Sequence, residues 1–255
     1  SGYKKGSGTV PSHSSGGSGN PAMLNGWVQR DGIWYFYIDN VAQIGWQSID
    51  GPWYYFNDAG QMQTGWVFDG HYYYYMADSG AMLAGQWLQS GGYWYYLTDS
   101  GAMLTGWGYI NGSYYYCREP SGEMLVGWQK INGSWYYMDT GGAMQHGWLN
   151  LAGNWYYLGP ANDGAMRVGW QAINGNYYYF YEDGIMASNA WVDGYYLDQD
   201  GIRRNAYTVA YHSNGGSGSV PSQAVVHNQS FSISGNLFSR PGYHFKSWSG
   251  SDGGS

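Results

Sequence analysis

A tryptophan returns about every twenty residues along most of this chain, at Trp27, Trp46, Trp66, Trp87, Trp107, Trp128, Trp148, Trp170 and Trp191. Seven of the nine follow a glycine directly (Gly26, Gly45, Gly65, Gly106, Gly127, Gly147, Gly169), and the other two follow Gly85-Gln86 and Asn189-Ala190. Self-similarity at a fixed period of this size is the signature of a repeat architecture. A unit this short has too little apolar surface to bury a core alone, so neighbouring copies must complete one another. That constraint excludes an ordinary single-core globule for this part of the chain.

The inside of the repeat reads as a β-hairpin. With the tryptophan numbered zero, glycine stands at +5 in seven copies: Gly32, Gly51, Gly92, Gly112, Gly133, Gly153 and Gly175. Asp or Asn precedes it in five of these, at Asp31, Asp50, Asn111, Asn132 and Asn174. Such a dipeptide between aromatic or β-branched runs favours a two-residue turn, because both residues accept positive φ. An aromatic ring follows at +7 in the first eight copies: Trp34, Trp53, Tyr73, Trp94, Tyr114, Trp135, Trp155 and Tyr177. Tyr or Phe stands at +8 and +9. A turn at +4 and +5 pairs +3 with +6, +2 with +7, +1 with +8 and 0 with +9. Side chains alternate faces along a strand, so positions 0, +7 and +9 share one face and +8 takes the other. A second turn then precedes a methionine at Met62, Met82, Met103, Met124, Met144, Met166 and Met186. These methionines read mostly as gap-filling core.

Composition narrows the function. Aromatics make up 20% of the 255 residues and charged residues 11%, and there are 43 glycines. Rings therefore supply most of the buried surface. The net charge is -7, with no basic patch of the kind that binds nucleic acid. No apolar run is long enough to span a membrane. One cysteine, Cys117, excludes an internal disulfide and any Cys-x-x-Cys metal site; at +10 it reads as a small core hydrophobe.

The pattern has edges. Residues 1–21 are rich in Gly, Ser, Pro and Lys and are expected to form a flexible linker. The repeats occupy residues 22–206. In the third copy Asp69-Gly70 comes one residue early, and in the ninth Asp193-Gly194 follows Trp191 closely, as in a capping repeat. Beyond residue 206 the period stops. Phe231, Ile233, Leu237, Phe238, Tyr243, Phe245 and Trp248 are the candidate core of a small second module over 207–255.

The segment Gly127 to Trp148, GWQKINGSWYYMDTGGAMQHGW, closely resembles the choline-binding or cell-wall-binding repeat of Gram-positive surface proteins. Related repeats occur in glucan-binding proteins and large clostridial toxins. The resemblance implies an all-β fold, a solenoid of about nine stacked hairpins, with ligand sites between consecutive hairpins. The stretch Asn214 to Trp248, with Arg240-Pro241-Gly242-Tyr243, resembles the internalin B-type (Listeria–Bacteroides) repeat, a small β-grasp-like module.

By that resemblance, each site is an aromatic cage. A quaternary ammonium offers no hydrogen-bond donor, so ring faces must hold it, at about 0.5–2 kcal/mol per ring. The implied walls are the 0 and +7 rings of one hairpin and a tyrosine of the next. These are Trp27, Trp34 and Tyr55; Trp46, Trp53 and Tyr75; Trp87, Trp94 and Tyr116; Trp128, Trp135 and Tyr157; and Trp148, Trp155 and Tyr179. Tyr at +7 in the remaining copies (Tyr73, Tyr114, Tyr177) departs from this pattern and suits sugar stacking. The implied partners are choline-bearing teichoic acid, another cell-wall polymer, or a glycan, at an extracellular, wall-associated location. A ligand-free stalk stays open as a third reading.

Catalysis and metal binding find no support in the residues. Asp58, Asp78, Asp99, Asp139, Asp163, Asp183 and Asp200 each stand just before a glycine, where turn formation accounts for them. The six histidines show no metal-ligand spacing. No nucleophile-elbow, zincin or phosphate-loop motif occurs. The chain is expected to be a non-catalytic binding module without a cofactor.

Overall fold

The computed structural model describes residues 23–227 and 230–250; the expected linker over 1–21 lies outside them. Among the described residues every regular element is a β-strand. The chain divides into two compact units, one of residues 1–129 with 138–144, the other of residues 130–137 with 145–255. The strands Gly127–Ile131 and Ser134–Met138 lie where this division runs.

The first unit holds five antiparallel hairpins. Their strand pairs are Gly26–Arg30 with Ile33–Ile38, Gly45–Ser48 with Trp53–Phe56, Gly65–Phe68 with Tyr73–Met76, Gln86–Ser90 with Tyr93–Leu97, and Gly106–Ile110 with Ser113–Cys117. The second unit holds Gly147–Leu151 with Asn154–Leu158, Gly169–Ile173 with Asn176–Phe180, and the shortened Ala190–Val192 with Tyr195–Leu197. The expected register is the observed one. Trp148 pairs with Tyr157, Leu149 with Tyr156, Asn150 with Trp155 and Leu151 with Asn154. The other full-length hairpins repeat it.

The turn chemistry fixes this register. Asp31-Gly32, Asn111-Gly112 and Asn174-Gly175 all have positive φ at both positions, as a two-residue primed turn requires. Ala152 holds the same left-handed conformation at φ 51°, without the Asn or Asp side chain that tolerates it. Ala152→Asn is therefore expected to stabilise the chain by about 0.5–1 kcal/mol, read as a higher denaturation midpoint. A lowered midpoint would contradict this account of the turn. The third hairpin ends its strand at Phe68, and the Asp69 carboxylate closes the loop by accepting the His71 and Tyr72 backbone N–H groups.

The glycine of each dyad is a hinge between hairpins. Gly147 has φ 70°, and in the two looser copies Gly85 and Asn189 keep positive φ one residue earlier. The core runs along position +10. Phe56, Met76, Leu97, Cys117, Leu158 and Phe180 are fully buried there, and Leu197 takes their place in the shortened ninth hairpin, at +6. Each methionine links one repeat to the preceding hairpin. Met62 bridges Phe56 and donates its backbone N–H to the Trp34 carbonyl; Met186 bridges Phe180 and donates to the Trp155 carbonyl. The methionine sulfur then lies against the second-turn glycine of the following repeat. A Cβ at Gly101 would come within 2.4 Å of Met82 Sδ. The periodic methionine thus packs where only a glycine leaves room.

Past the hairpins, Ala206–Val209 pairs with Gln223–Val226, and Ser217 bridges Ser239. The expected second core forms only in part. Trp248 packs on Tyr211, Phe238 and Phe245. Phe231, Ile233, Leu237, Tyr243 and Phe245 are exposed, because residues 230–250 pair only through that bridge and offer no second sheet to cover them.

Candidate functional site

Trp27, Trp46, Trp66, Trp87, Trp148 and Trp170, each at position 0, collect rings from two hairpins. Within its own hairpin Trp148 meets Trp155 at 6.1 Å and Tyr157 at 5.1 Å, both edge-on. From the next hairpin it meets Tyr178 at 4.8 Å and Phe180 at 5.8 Å. The first hairpin repeats the set: Trp27 stands 6.2 Å from Trp34, 4.8 Å from Tyr54 and 5.8 Å from Phe56. The inter-hairpin contact recurs in Trp46–Tyr74, Trp66–Tyr95 and Trp87–Tyr115, all between 4.6 and 5.0 Å.

The tyrosine that reaches Trp27, Trp46, Trp66, Trp87 and Trp148 from the following hairpin stands at +8. The +9 tyrosines of the expected walls, Tyr55, Tyr75, Tyr116, Tyr157 and Tyr179, pack on the tryptophan of their own hairpin: Trp46, Trp66, Trp107, Trp148 and Trp170. The reason is the alternation of faces. Positions 0 and +9 are cross-strand partners and point the same way, so the face that meets the preceding hairpin carries +8.

Most +7 rings are exposed. Trp53, Trp94, Trp135 and Trp155 are between 41% and 47% exposed, although fully buried residues lie three positions further along each strand. Trp46 with Trp53 and Trp87 with Trp94 share a face through the same register. Trp128 belongs to the first compact unit, and Trp135 and Tyr157 to the second.

Three indole N–H groups are anchored to the next hairpin. Trp170 Nε1 donates to Asp193 Oδ2 at 2.9 Å, and Trp66 Nε1 donates to the Ser90 hydroxyl at 3.2 Å. Trp46 Nε1 donates to Asp69 at 3.4 Å. Burial raises the Asp69 carboxyl pKa, but bonds from the Tyr72 and His71 backbone and the Trp46 indole outweigh it and leave the pKa lowered. The carboxylate beside the Trp46 ring thus stays charged, and its charge, after burial, raises the Tyr74 phenol.

Elsewhere the chemistry is quiet. Asp139 accepts the Gly141 and Ala143 backbone N–H groups, and Asp183 accepts that of Ile185, as turn residues do. Burial pushes the Cys117 thiol up to about 12, so it packs as a hydrophobe and forms no thiolate near neutral pH. Among the described residues no group of three or more His, Cys, Asp and Glu gathers to hold a metal.

Known proteins share this pattern. The sequence matches the choline-binding repeat over residues 43–87, 85–127, 125–168 and 166–202, and the Listeria-Bacteroides repeat domain over residues 207–255. Choline binding protein F from Streptococcus pneumoniae is 39% identical over 68% of this chain, with a TM-score of 0.64; the match covers 61% of that protein. CbpJ from the same species is 34% identical over 71% of each chain, with a TM-score of 0.66. The choline-binding domain of CbpL, also from that species, is 33% identical over 71% of this chain and 98% of its own, with a TM-score of 0.55. No curated protein matches the chain. The repeated Gly-Trp hairpins, their inter-hairpin ring clusters and these matches together place the chain in the choline-binding repeat family.

Proposed function

We propose that the chain is a non-catalytic cell-wall-binding module that holds choline groups of a wall polymer between consecutive hairpins. The observation that carries this is the recurring cluster of a 0 ring, an open +7 ring and the +8 tyrosine of the next hairpin, as in Trp148, Trp155 and Tyr178. Three rings at about 0.5–2 kcal/mol each give roughly 1.5–6 kcal/mol per site. A millimolar dissociation constant corresponds to about 4 kcal/mol. One cage is therefore a weak site, and several on one stacked array bind a polymer far more tightly than any of them alone.

The organisation that fits is a linker over 1–21, the repeats over 22–206 and a separate module over 207–255. Choline-bearing teichoic acid on the bacterial surface is the proposed partner and place. Choline binding protein F has been crystallised in the presence of a peptidoglycan analogue, which supports a wall polymer. The exposed Tyr73 at +7 favours a second ligand class, a glycan stacked on its face.

Titration with choline is expected to change tryptophan fluorescence and to raise the melting temperature in proportion to the logarithm of choline concentration. No change in either signal at concentrations on the order of ten times millimolar would overturn the choline reading. Binding to dextran or to a glycan array in that case would establish the second ligand class.

A further inference from the structure

The eighth cage already contains a cation. Its walls are Trp170 at position 0, Tyr177 at +7 and Tyr195 from the last hairpin, which lies 5.6 Å from Trp170. The Arg203 guanidinium carbon stands 4.3 Å from the Tyr177 ring centre and 4.6 Å from that of Tyr195. Both distances are well inside the range of an attractive cation–π contact. The Lys130 ammonium, in contrast, approaches one ring, that of Trp135, at 6.0 Å.

Arg203 reaches this place through the register of the repeat. Seven repeats carry a methionine that bridges the buried +10 residue, as Met186 bridges Phe180. In the last repeat Leu197 is the buried residue, and its partner across the bridge is Arg203. Gly201-Ile202-Arg203 thus stands where Gly184-Ile185-Met186 stands one repeat earlier. The neighbouring Arg204 is turned away and paired with Asp198 at 2.6 Å.

We propose that Arg203 is a built-in occupant of the eighth cage, a cation of the chain's own that keeps an external quaternary ammonium out. The inference rests on the proposed cage reading. It goes beyond that reading by assigning one cage a different, internal ligand. Guanidinium and trimethylammonium are both weakly hydrated cations that gain from ring faces, so each excludes the other from one set of rings.

The test compares the intact chain with Arg203→Ala by equilibrium dialysis against labelled choline at saturation. Arg203→Ala is expected to bind one more choline per chain, and the double variant Arg203→Ala/Tyr177→Leu to return to the intact chain's number. An equal number for the intact chain and Arg203→Ala overturns the inference. If that shared number is zero, the choline reading fails with it; if it is not zero, that reading stands alone. A second measurement needs no variant. Ring currents from Tyr177 and Tyr195 are expected to move the Arg203 side-chain proton resonances upfield, and random-coil shifts would overturn the proposal.

Discussion

Phe180→Ala is expected to destabilise the chain by about 3–5 kcal/mol, the usual cost of removing a fully buried phenylalanine. Phe180 is completely buried at +10 of its hairpin and bridges Met186. Its ring also reaches the preceding hairpin, 5.8 Å from Trp148 and 6.3 Å from Tyr157. Alanine would leave a hole at the contact that joins two repeats, so the loss falls on the coupling between hairpins as well as within one. Denaturant unfolding followed by tryptophan fluorescence reads the cost. Phe180→Leu is expected to cost less than about 1.5 kcal/mol, because Leu97 and Leu158 fill the same position in other repeats. A loss below about 1 kcal/mol for the alanine variant would show that the +10 row is not the core.

Much of this arrangement was legible in the sequence because it is local. The dipeptides Asn111-Gly112 and Asn174-Gly175 specify a turn, the turn specifies the register, and the register fixes which rings share a face. Cys117 was readable as core because it occupies a position that other repeats fill with Leu or Met. What periodicity does not carry is how one hairpin meets the next. Register puts Tyr179 beside its cross-strand partner Trp170 and Tyr178 on the other face, but only stacking decides that this other face meets Trp148. Arg203 escaped for a related reason. The ninth hairpin is short, with Trp191 pairing directly with Tyr196, so counting from the tryptophan loses the methionine register that Arg203 inherits. The small module past residue 206 has apolar residues without a period, and composition alone could not show that Leu237 and Tyr243 stay exposed.

Removing the open wall of three cages at once, Trp53→Ala/Trp94→Ala/Trp155→Ala, is expected to abolish retention on a choline resin. These rings are 47%, 43% and 44% exposed, so their loss should leave the buried +10 row and the hairpin ladder in place. Each deletion weakens its own site by about 0.5–2 kcal/mol. On a multivalent surface such losses compound, because every site that opens lowers the effective concentration that holds the others. The single variant Trp155→Ala is expected to elute at a lower choline concentration than the intact chain, and the triple variant not to bind at all. The melting temperature without choline separates binding from folding. It should move by only a few degrees, as surface substitutions usually allow. Full retention of a folded triple variant would remove these tryptophans from the choline site. It would leave the Trp148–Tyr178 type of contact between hairpins with a packing role alone.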